Sequence, residues 1–261
     1  MEARGPGALP NVLVIGAMKA GTSALHRYLD AHPDAAMSAP KELGFFFDER
    51  SDPDELTPPT TRPETAEGWS LGGNWFRGLD WYRSHFDPAA PVRGESSPGY
   101  TSPDHPAAAA RAAALLGRAV TLVMLVRDPV ARAVSQYAHH HREGAEPRPL
   151  AQALLDPGSQ YLQRSRYHAC LRPWLDAFGA DRLVVVVQEE LRTRRRETLR
   201  RVYAAVGLDP DHWDDGLARE WHVGEGAPAV SPRLHGQLRE ALADDTDRLR
   251  QLLDRELPWA C

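Results

Sequence analysis

The stretch "NVLVIGAMKAGTSALHRYLDAHP", residues 11–33, decides the fold. It opens with a run of aliphatic residues, Asn11–Gly16, that predicts a buried strand. After Gly21, two leucines four residues apart predict an amphipathic helix, and the His-Pro pair at 32–33 predicts where that helix ends. A strand, a glycine-containing loop and a helix, in this order, form the opening unit of phosphate-binding α/β folds.

The loop between this strand and helix is suited to an anion, because backbone N–H groups and the positive end of the helix dipole converge there. Gly16 and Gly21 have the G-x-x-x-x-G separation of a nucleotide-triphosphate loop, but that signature requires a lysine directly after the second glycine. Here Thr22 and Ser23 follow, and Lys19 comes two residues before it. Only two of the 31 Lys and Arg residues are lysines, so a lysine in this loop is unusual in a chain whose basic residues are nearly all arginines.

Composition predicts a soluble protein with one large core. The chain has 261 residues, of which 42% are hydrophobic. A formal net charge of −5 argues against a general nucleic-acid binder. No apolar run approaches the ~20 residues of a membrane span and no signal-peptide layout is present, so we expect a cytoplasmic protein without membrane contact. Cys170 and Cys261 lack metal-ligand spacing, and we expect free thiols and no metal.

Strands and helices alternate along the rest of the chain. Residues 119–126 form the clearest strand, and in the "RDP" after it Asp128 can cap a helix that begins at Pro129. This alternation predicts an α/β fold, a single P-loop-like domain over residues 1–261 with a central, mostly parallel sheet flanked by helices. Residues 48–73 are expected to form an exposed loop or lid. Further strands are expected at 35–37, 44–47 and within 181–187, and helices at about 104–116, 129–142, 160–178, 197–206 and 231–257.

Two motifs together resemble one family. The loop pattern G-x-x-K-[AG]-G-T-[ST] resembles the 5′-phosphosulfate loop of sulfotransferases that use 3′-phosphoadenylyl sulfate (PAPS). "LVRDPVARAVSQY" supplies Arg127 and Ser135 where that family binds the 3′-phosphate, a task for which the arginine fork is suited. "HPDAAMSAPKELGFFF", "GESSPGYTSP" and "SRYHACLRPWLDAF" extend the resemblance to the heparan sulfate N- and O-sulfotransferases, in collinear order over about residues 11–190.

The resemblance implies an enzyme that releases adenosine 3′,5′-bisphosphate (PAP), with roles for individual residues. Lys19 would stabilise the charge that builds on the leaving oxygen, which suits a compact ammonium. Glu42 would take the acceptor's proton, and three nearby phenylalanines predict partial desolvation of its carboxylate. The implied donor-binding residues are Lys19, Ala20, Gly21, Thr22, Ser23, Arg127, Ser135, Tyr167, His222 and Gly224. The implied acceptor-binding residues are Lys41, Phe46, Ser96 and Ser97.

Departures from the family pattern leave alternatives open. Ser96 replaces a family lysine, which weakens the case for a sulfated polysaccharide, so the expected acceptor is a hydroxyl or amine of a sugar or small natural product. Lys41 either binds the sulfate in flight or an acidic acceptor, or is a surface charge. Tyr167 either binds the donor or packs in the core. The family's basic covering loop matches residues 220–232 without its basic residues, so His222 or Arg219 would supply the charge.

Other basic segments have simple explanations, and two rival functions stay open. "HHHR", residues 139–142, is expected to end a helix rather than bind a metal, and residues 191–201 to form a solvated helix face. The rivals are a P-loop nucleotide kinase, which the displaced Lys19 argues against, and a catalytically inactive nucleotide-binding protein. The oligomeric state stays open.

Overall fold

Five parallel strands form one sheet in the order β2-β3-β1-β4-β5. The structure is a computed structural model that describes residues 7–47, 56, 73–221, 226 and 228–259. The predicted α/β class, with a parallel sheet flanked by helices, is confirmed. The strands are β1 Val12–Gly16, β2 Ala35–Met37, β3 Val92–Ser96, β4 Thr121–Val126 and β5 Leu183–Val187.

Helices follow the strands and cover the sheet. Thr22–Asp30 (α1) follows β1, and Pro129–Arg142 (α4) follows β4 with Asp128 as its cap, as predicted: the Asp128 carboxylate accepts from the Ala131 N–H at 2.7 Å. The other α-helices are α2 Gly78–Arg83, α3 Ala108–Leu116, α5 Leu150–Leu155, α6 Gln160–Gln163, α7 Tyr167–Phe178, α8 Gln188–Thr193, α9 Arg195–Val206 and α10 Pro232–Leu253.

The centre of the sheet positions the loops that matter for function. β1 is buried along its whole length and lies between β3 and β4, with Val12 opposite Gly94 on one side and Thr121 on the other. Because all three strands run in the same direction, their carboxyl ends meet at one edge of the sheet. The loops after β1, β3 and β4 therefore lie next to one another.

The structure corrects several predicted elements. Residues 44–47 do not form a strand: Gly44 has a left-handed φ of 57°, and Phe45 and Phe46 form a turn. The helix predicted over 160–178 is two helices, α6 and α7, and β3, α2 and α5 were not predicted. The loop or lid predicted at 48–73 lies outside the described residues, except for residues 56 and 73.

Within the described part of the chain, no helix is both long enough and apolar enough to cross a bilayer. Cys170 is buried as a free thiol on α7, and burial raises the pKa of this thiol to about 12. Cys261 lies outside the described residues.

Candidate functional site

The Lys19 loop (residues 17–21) joins β1 to α1 in a conformation that its sequence permits. Gly21 has φ 97°, a left-handed value that glycine adopts without strain, and Lys19 itself has φ 65°. A side chain at Gly16 would collide with the Thr101 hydroxyl, so only glycine allows this close approach. No side chain of the described residues caps the α1 N-terminus, which leaves the positive end of the helix for an anion.

An open cleft of about 360 Å³ lies above this loop, at the carboxyl edge of the sheet. It brings together most of the catalytic and donor-binding residues that the sequence predicts, from the Lys19 loop, β4, α4 and the segment after β2. The residues that line it are Met18, Lys19, Gly21, Thr22, Ser23, Glu42, Pro98, Arg127, Ser135, Ala138, His139, Arg142 and Gln188. Of the predicted loop residues, Ala20 is fully buried and donates its N–H to the Ala17 carbonyl, so it shapes the loop rather than lining the cleft.

Lys19 is partly buried and lies among charges of both signs. Burial lowers the pKa of its ammonium, and the charges of Arg142 and Arg127 lower that pKa further, while Glu143 and Glu42 act in the opposite direction. A cation whose charged form is disfavoured gains most from an anionic ligand.

Arg127 follows β4 and contacts the Lys19 loop directly. One guanidinium nitrogen, Nη1, donates to the Lys19 carbonyl at 3.1 Å. Its Nε is buried and has no hydrogen-bond partner among the described residues. A buried N–H without a partner costs free energy, which an anion in the cleft would recover.

Tyr167 supports Arg127 instead of lining the cleft. Its hydroxyl donates to the Arg127 carbonyl at 3.0 Å and lies 3.4 Å from the Arg127 N–H. The ring is 1% exposed, and burial raises the pKa of the hydroxyl. Tyr167 is therefore a core residue that supports the backbone of Arg127, which is the second of the two alternatives left open by the sequence.

One face of α4 adds residues that sequence reasoning missed. Ser135, His139 and Arg142 are spaced i, i+4 and i+7, so they share a face, and all three line the cleft. The His139 ring lies 3.3 Å from the Glu143 carboxylate. The helix end predicted for residues 139–142 is confirmed, but the helical spacing from Ser135 was a signal that two of these residues reach the site. Within the described residues, no three His, Cys, Asp or Glu side chains are placed to hold a metal ion.

The Glu42 loop (residues 41–47) brings Glu42 to the lining of the cleft. Glu42 has φ 66° and donates its N–H to the Ser96 carbonyl at 3.0 Å. Its carboxylate pairs with the Lys41 ammonium and is 56% exposed, so the predicted desolvation by phenylalanines is wrong. The rings of Phe45 and Phe46 point into the core instead.

Three residues predicted to bind the acceptor are buried. Phe46 is fully buried among aromatic rings that include Tyr82 and Tyr100. The Ser96 hydroxyl lies 2.9 Å from His26 Nδ1, and the Ser97 hydroxyl donates to Glu95 at 2.7 Å. These three are therefore corrected to structural roles, because their side chains already have partners inside the protein.

The two remaining predicted residues, His222 and Gly224, lie outside the described residues. The chain that leads to them is anchored on α1. The guanidinium groups of Arg27 and Arg219 lie 4.4 and 4.5 Å from the centre of the Trp221 ring, and the Tyr28 hydroxyl donates to the Arg219 carbonyl at 2.9 Å. Segment 219–221 is thereby held against the helix that follows the Lys19 loop.

Several relatives at the level of sequence are described as heparan sulfate N-deacetylase/N-sulfotransferases. A Caenorhabditis elegans protein described as bifunctional heparan sulfate N-deacetylase/N-sulfotransferase 1 is 27% identical over 203 residues, which is 72% of this chain and 21% of that protein. A mouse protein described as bifunctional heparan sulfate N-deacetylase/N-sulfotransferase 2 is 28% identical over 224 residues, 77% of this chain and 22% of its own length. The chain thus spans about a fifth of the length of these curated relatives.

Solved structures share the whole fold. A sulfotransferase from Alicyclobacillus acidocaldarius superposes with a TM-score of 0.75 at 28% identity, covering 96% of this chain and 98% of its own. Mouse sulfotransferase SULT7A1, complexed with PAP, superposes with a TM-score of 0.52 at 14% identity, covering 94% of this chain and 87% of its own, which shows the fold alone. The family model described as "Sulfotransferase family" matches residues 10–215. The chain belongs to the sulfotransferase family.

Proposed function

We propose that this chain transfers a sulfuryl group from PAPS to a hydroxyl or amine of a sugar or a small natural product. The observation that carries the proposal is the convergence of Lys19, Arg127 and Glu42, from three separate segments, on one cleft. Family membership supports sulfuryl transfer as the reaction. The acceptor class remains the expectation drawn from the sequence, in which a serine stands at position 96 where the family pattern has a lysine.

The residues present suit a nucleotide with two anionic groups. The α1 N-terminus and the hydroxyls of Thr22 and Ser23 would hold the 5′-phosphosulfate. The buried, unpartnered Nε of Arg127, together with Ser135, would hold the 3′-phosphate. PAPS, when bound, supplies the sulfuryl group and becomes PAP. The PAP found in the mouse structure belongs to that protein, and extending it to this chain is part of the proposal.

Lys19 and Glu42 are the two residues that would take part in the chemical step. An in-line transfer asks the protein mainly to position the partners and to stabilise the charge that shifts between them. The Lys19 ammonium would neutralise charge on the oxygen that leaves, since its burial and its cationic neighbours favour contact with an anion. The Glu42 carboxylate, exposed at the cleft, would accept the proton that the acceptor oxygen or nitrogen loses.

The test is incubation with PAPS and a panel of sugar and small-molecule acceptors, with chelator present, followed by detection of PAP and of an added sulfate mass. We expect PAP release that depends on an acceptor. In a parallel reaction with ATP and magnesium and without chelator, hydrolysis of ATP or transfer of its phosphate by a protein that does not turn over PAPS would establish the P-loop kinase instead. Binding of PAP without turnover on any acceptor would favour the inactive nucleotide-binding protein.

Three variants then separate the roles. Glu42→Gln should lower transfer by about a hundredfold or more while PAP binding is kept, because only proton acceptance is lost. Lys19→Ala should lower both transfer and PAP binding. Glu143→Gln is the matched control, since Glu143 is 57% exposed, close to the 56% of Glu42, and also acts on the Lys19 charge. Full transfer by Glu42→Gln would exclude Glu42 as the base.

A further inference from the structure

Glu95, on β3, is a completely buried carboxylate held by three hydroxyl groups. Tyr82 and Tyr100 donate to its Oε1 at 2.6 and 2.8 Å, and Ser97 donates to its Oε2 at 2.7 Å. Burial raises the pKa of Glu95, and the three hydroxyl donors oppose that rise. Burying a carboxylate costs folding free energy unless hydrogen-bond donors satisfy it, so a buried glutamate at this position suggests a specific role.

Two of these three hydroxyls extend the contact to the Glu42 loop. The Ser97 oxygen accepts the Gly44 N–H at 3.0 Å, and the Tyr100 oxygen accepts the Phe45 N–H at 2.9 Å. A hydroxyl that accepts from an amide still has its own proton to donate, and in both cases that proton goes to Glu95. The carboxylate therefore orients both hydroxyls so that their lone pairs face the amides of the Glu42 loop.

The same short segment also contacts the other half of the cleft. The Ser97 N–H donates to the Val14 carbonyl of β1 at 3.1 Å, and Thr101 packs against Gly16, where the Lys19 loop begins. Pro98, between them, lines the cleft itself. Residues 96–101 thus bridge the Lys19 loop and the Glu42 loop, with Glu95 directly before the bridge.

We propose that Glu95 is a positioning residue that fixes the Glu42 loop relative to the Lys19 loop, through the hydroxyls of Tyr100 and Ser97. It touches neither donor nor acceptor and acts only through these hydroxyls. The proposal rests on the proposed function, because it matters for catalysis only if Glu42 takes part in the reaction. Misplacement of a reacting group by about 1 Å can cost about a hundredfold in rate, so loosening this connection should be visible in kcat.

Tyr82 provides a matched control. Its hydroxyl donates to the same Glu95 oxygen as that of Tyr100, and both rings are fully or almost fully buried. Within the described residues, however, the Tyr82 hydroxyl bonds to no amide of the Glu42 loop, which it contacts through ring stacking on Phe45 at 4.1 Å. Tyr82→Phe keeps that stacking and removes one bond to Glu95, whereas Tyr100→Phe also removes the acceptor for the Phe45 N–H.

The experiment compares Tyr100→Phe, Tyr82→Phe and Glu95→Gln by hydrogen–deuterium exchange of residues 41–47, by PAP affinity, and by kcat and KM with PAPS. Both tyrosine variants should lose similar thermal stability. Only Tyr100→Phe and Glu95→Gln should show faster exchange in the Glu42 loop and a kcat lowered by about ten- to a hundredfold, with PAP affinity within about threefold of the unaltered protein. Glu95→Gln keeps the shape of the side chain, so loss of folding is not expected to mask the result.

Equal loss of kcat in Tyr82→Phe and Tyr100→Phe would overturn the proposal, since a purely structural role predicts it. Unchanged exchange in residues 41–47 would overturn it as well, because the loop would then be held by other contacts. Failure of the proposed function is distinguishable: the unaltered protein would show no transfer from PAPS, while the exchange measurement would still report whether Glu95 holds the loop.

Discussion

Replacing Arg127 with alanine should remove most of the preference for a nucleotide with a 3′-phosphate. One guanidinium nitrogen already donates to the Lys19 carbonyl, and Nε is buried without a partner among the described residues. Hydrogen bonds to charged groups contribute about 1.5–3 kcal/mol each, so losing a two-bond contact with phosphate costs about 3 kcal/mol or more. That free energy corresponds to a loss of about a hundredfold or more in PAP affinity.

Isothermal titration with PAP and with adenosine 5′-monophosphate measures this preference. Loss of the bond to Lys19 affects both nucleotides and cancels in the ratio of their affinities, which leaves the 3′-phosphate contribution. Arg127→Lys keeps the charge without the fork, so we expect an intermediate ratio. Arg172→Ala is the control, since this exposed arginine on α7 pairs with Asp176 and does not line the cleft. An equal loss of affinity for both nucleotides in Arg127→Ala would refute the reasoning.

Three further predictions concern pH and packing. Because its pKa is lowered, Lys19 should lose its proton at a lower pH than an ordinary lysine does. PAP affinity should therefore fall as the pH rises from 7 to 10 in the unaltered protein but not in Lys19→Arg, and an equal fall in both proteins would contradict this. Burial, and to a smaller extent the Lys41 charge, lowers the pKa of His26 to about 4. As the pH drops, the unfolded chain therefore protonates His26 before the folded chain does, and the free energy of unfolding should fall by up to about 3 kcal/mol between pH 6.5 and pH 4. Urea unfolding of His26→Gln should show a smaller loss of stability over this pH range. Identical dependence of stability on pH in the two proteins would count against the prediction. Gly16→Ala should destabilise the protein by about 1–3 kcal/mol, because the added methyl group would clash with Thr101. Thermal unfolding should show that the double variant with Thr101→Ala recovers part of this loss.

The sequence was most informative where local chemistry determines structure. The unit β1–loop–α1 follows from aliphatic residues, a glycine loop and helical leucine spacing, all within a short window. The Asp128 cap and Pro129 start of α4 likewise depend on neighbours in the chain. Their meeting in one cleft was expected from the resemblance to a family, because strand order cannot be read from local patterns.

Residues whose surroundings come from distant segments were not predictable in this way. β3 was not predicted, and its Glu95 is tolerated in the core because Tyr82, Tyr100 and Ser97 donate hydrogen bonds to its carboxylate. The phenylalanines after Glu42 looked like a strand or a pocket wall, yet Phe45 stacks on Tyr82 from α2, an element that was not predicted. Contacts of this kind depend on how distant elements pack together, and this packing overrides local secondary-structure propensity.

The position of β1 between β3 and β4 has a consequence for folding. The bond between Arg127 and Lys19 joins residues 108 positions apart, so the two halves of the anion site come together only once β4 has paired with β1. Such non-local pairing is slow to form, and a partly folded chain would offer the nucleotide only an incomplete site. A nucleotide that binds this cleft would therefore stabilise only the completely folded chain, by about 2.7 kcal/mol at a concentration a hundred times its Kd. Protection from a protease by PAP would then measure the complete assembly of the sheet.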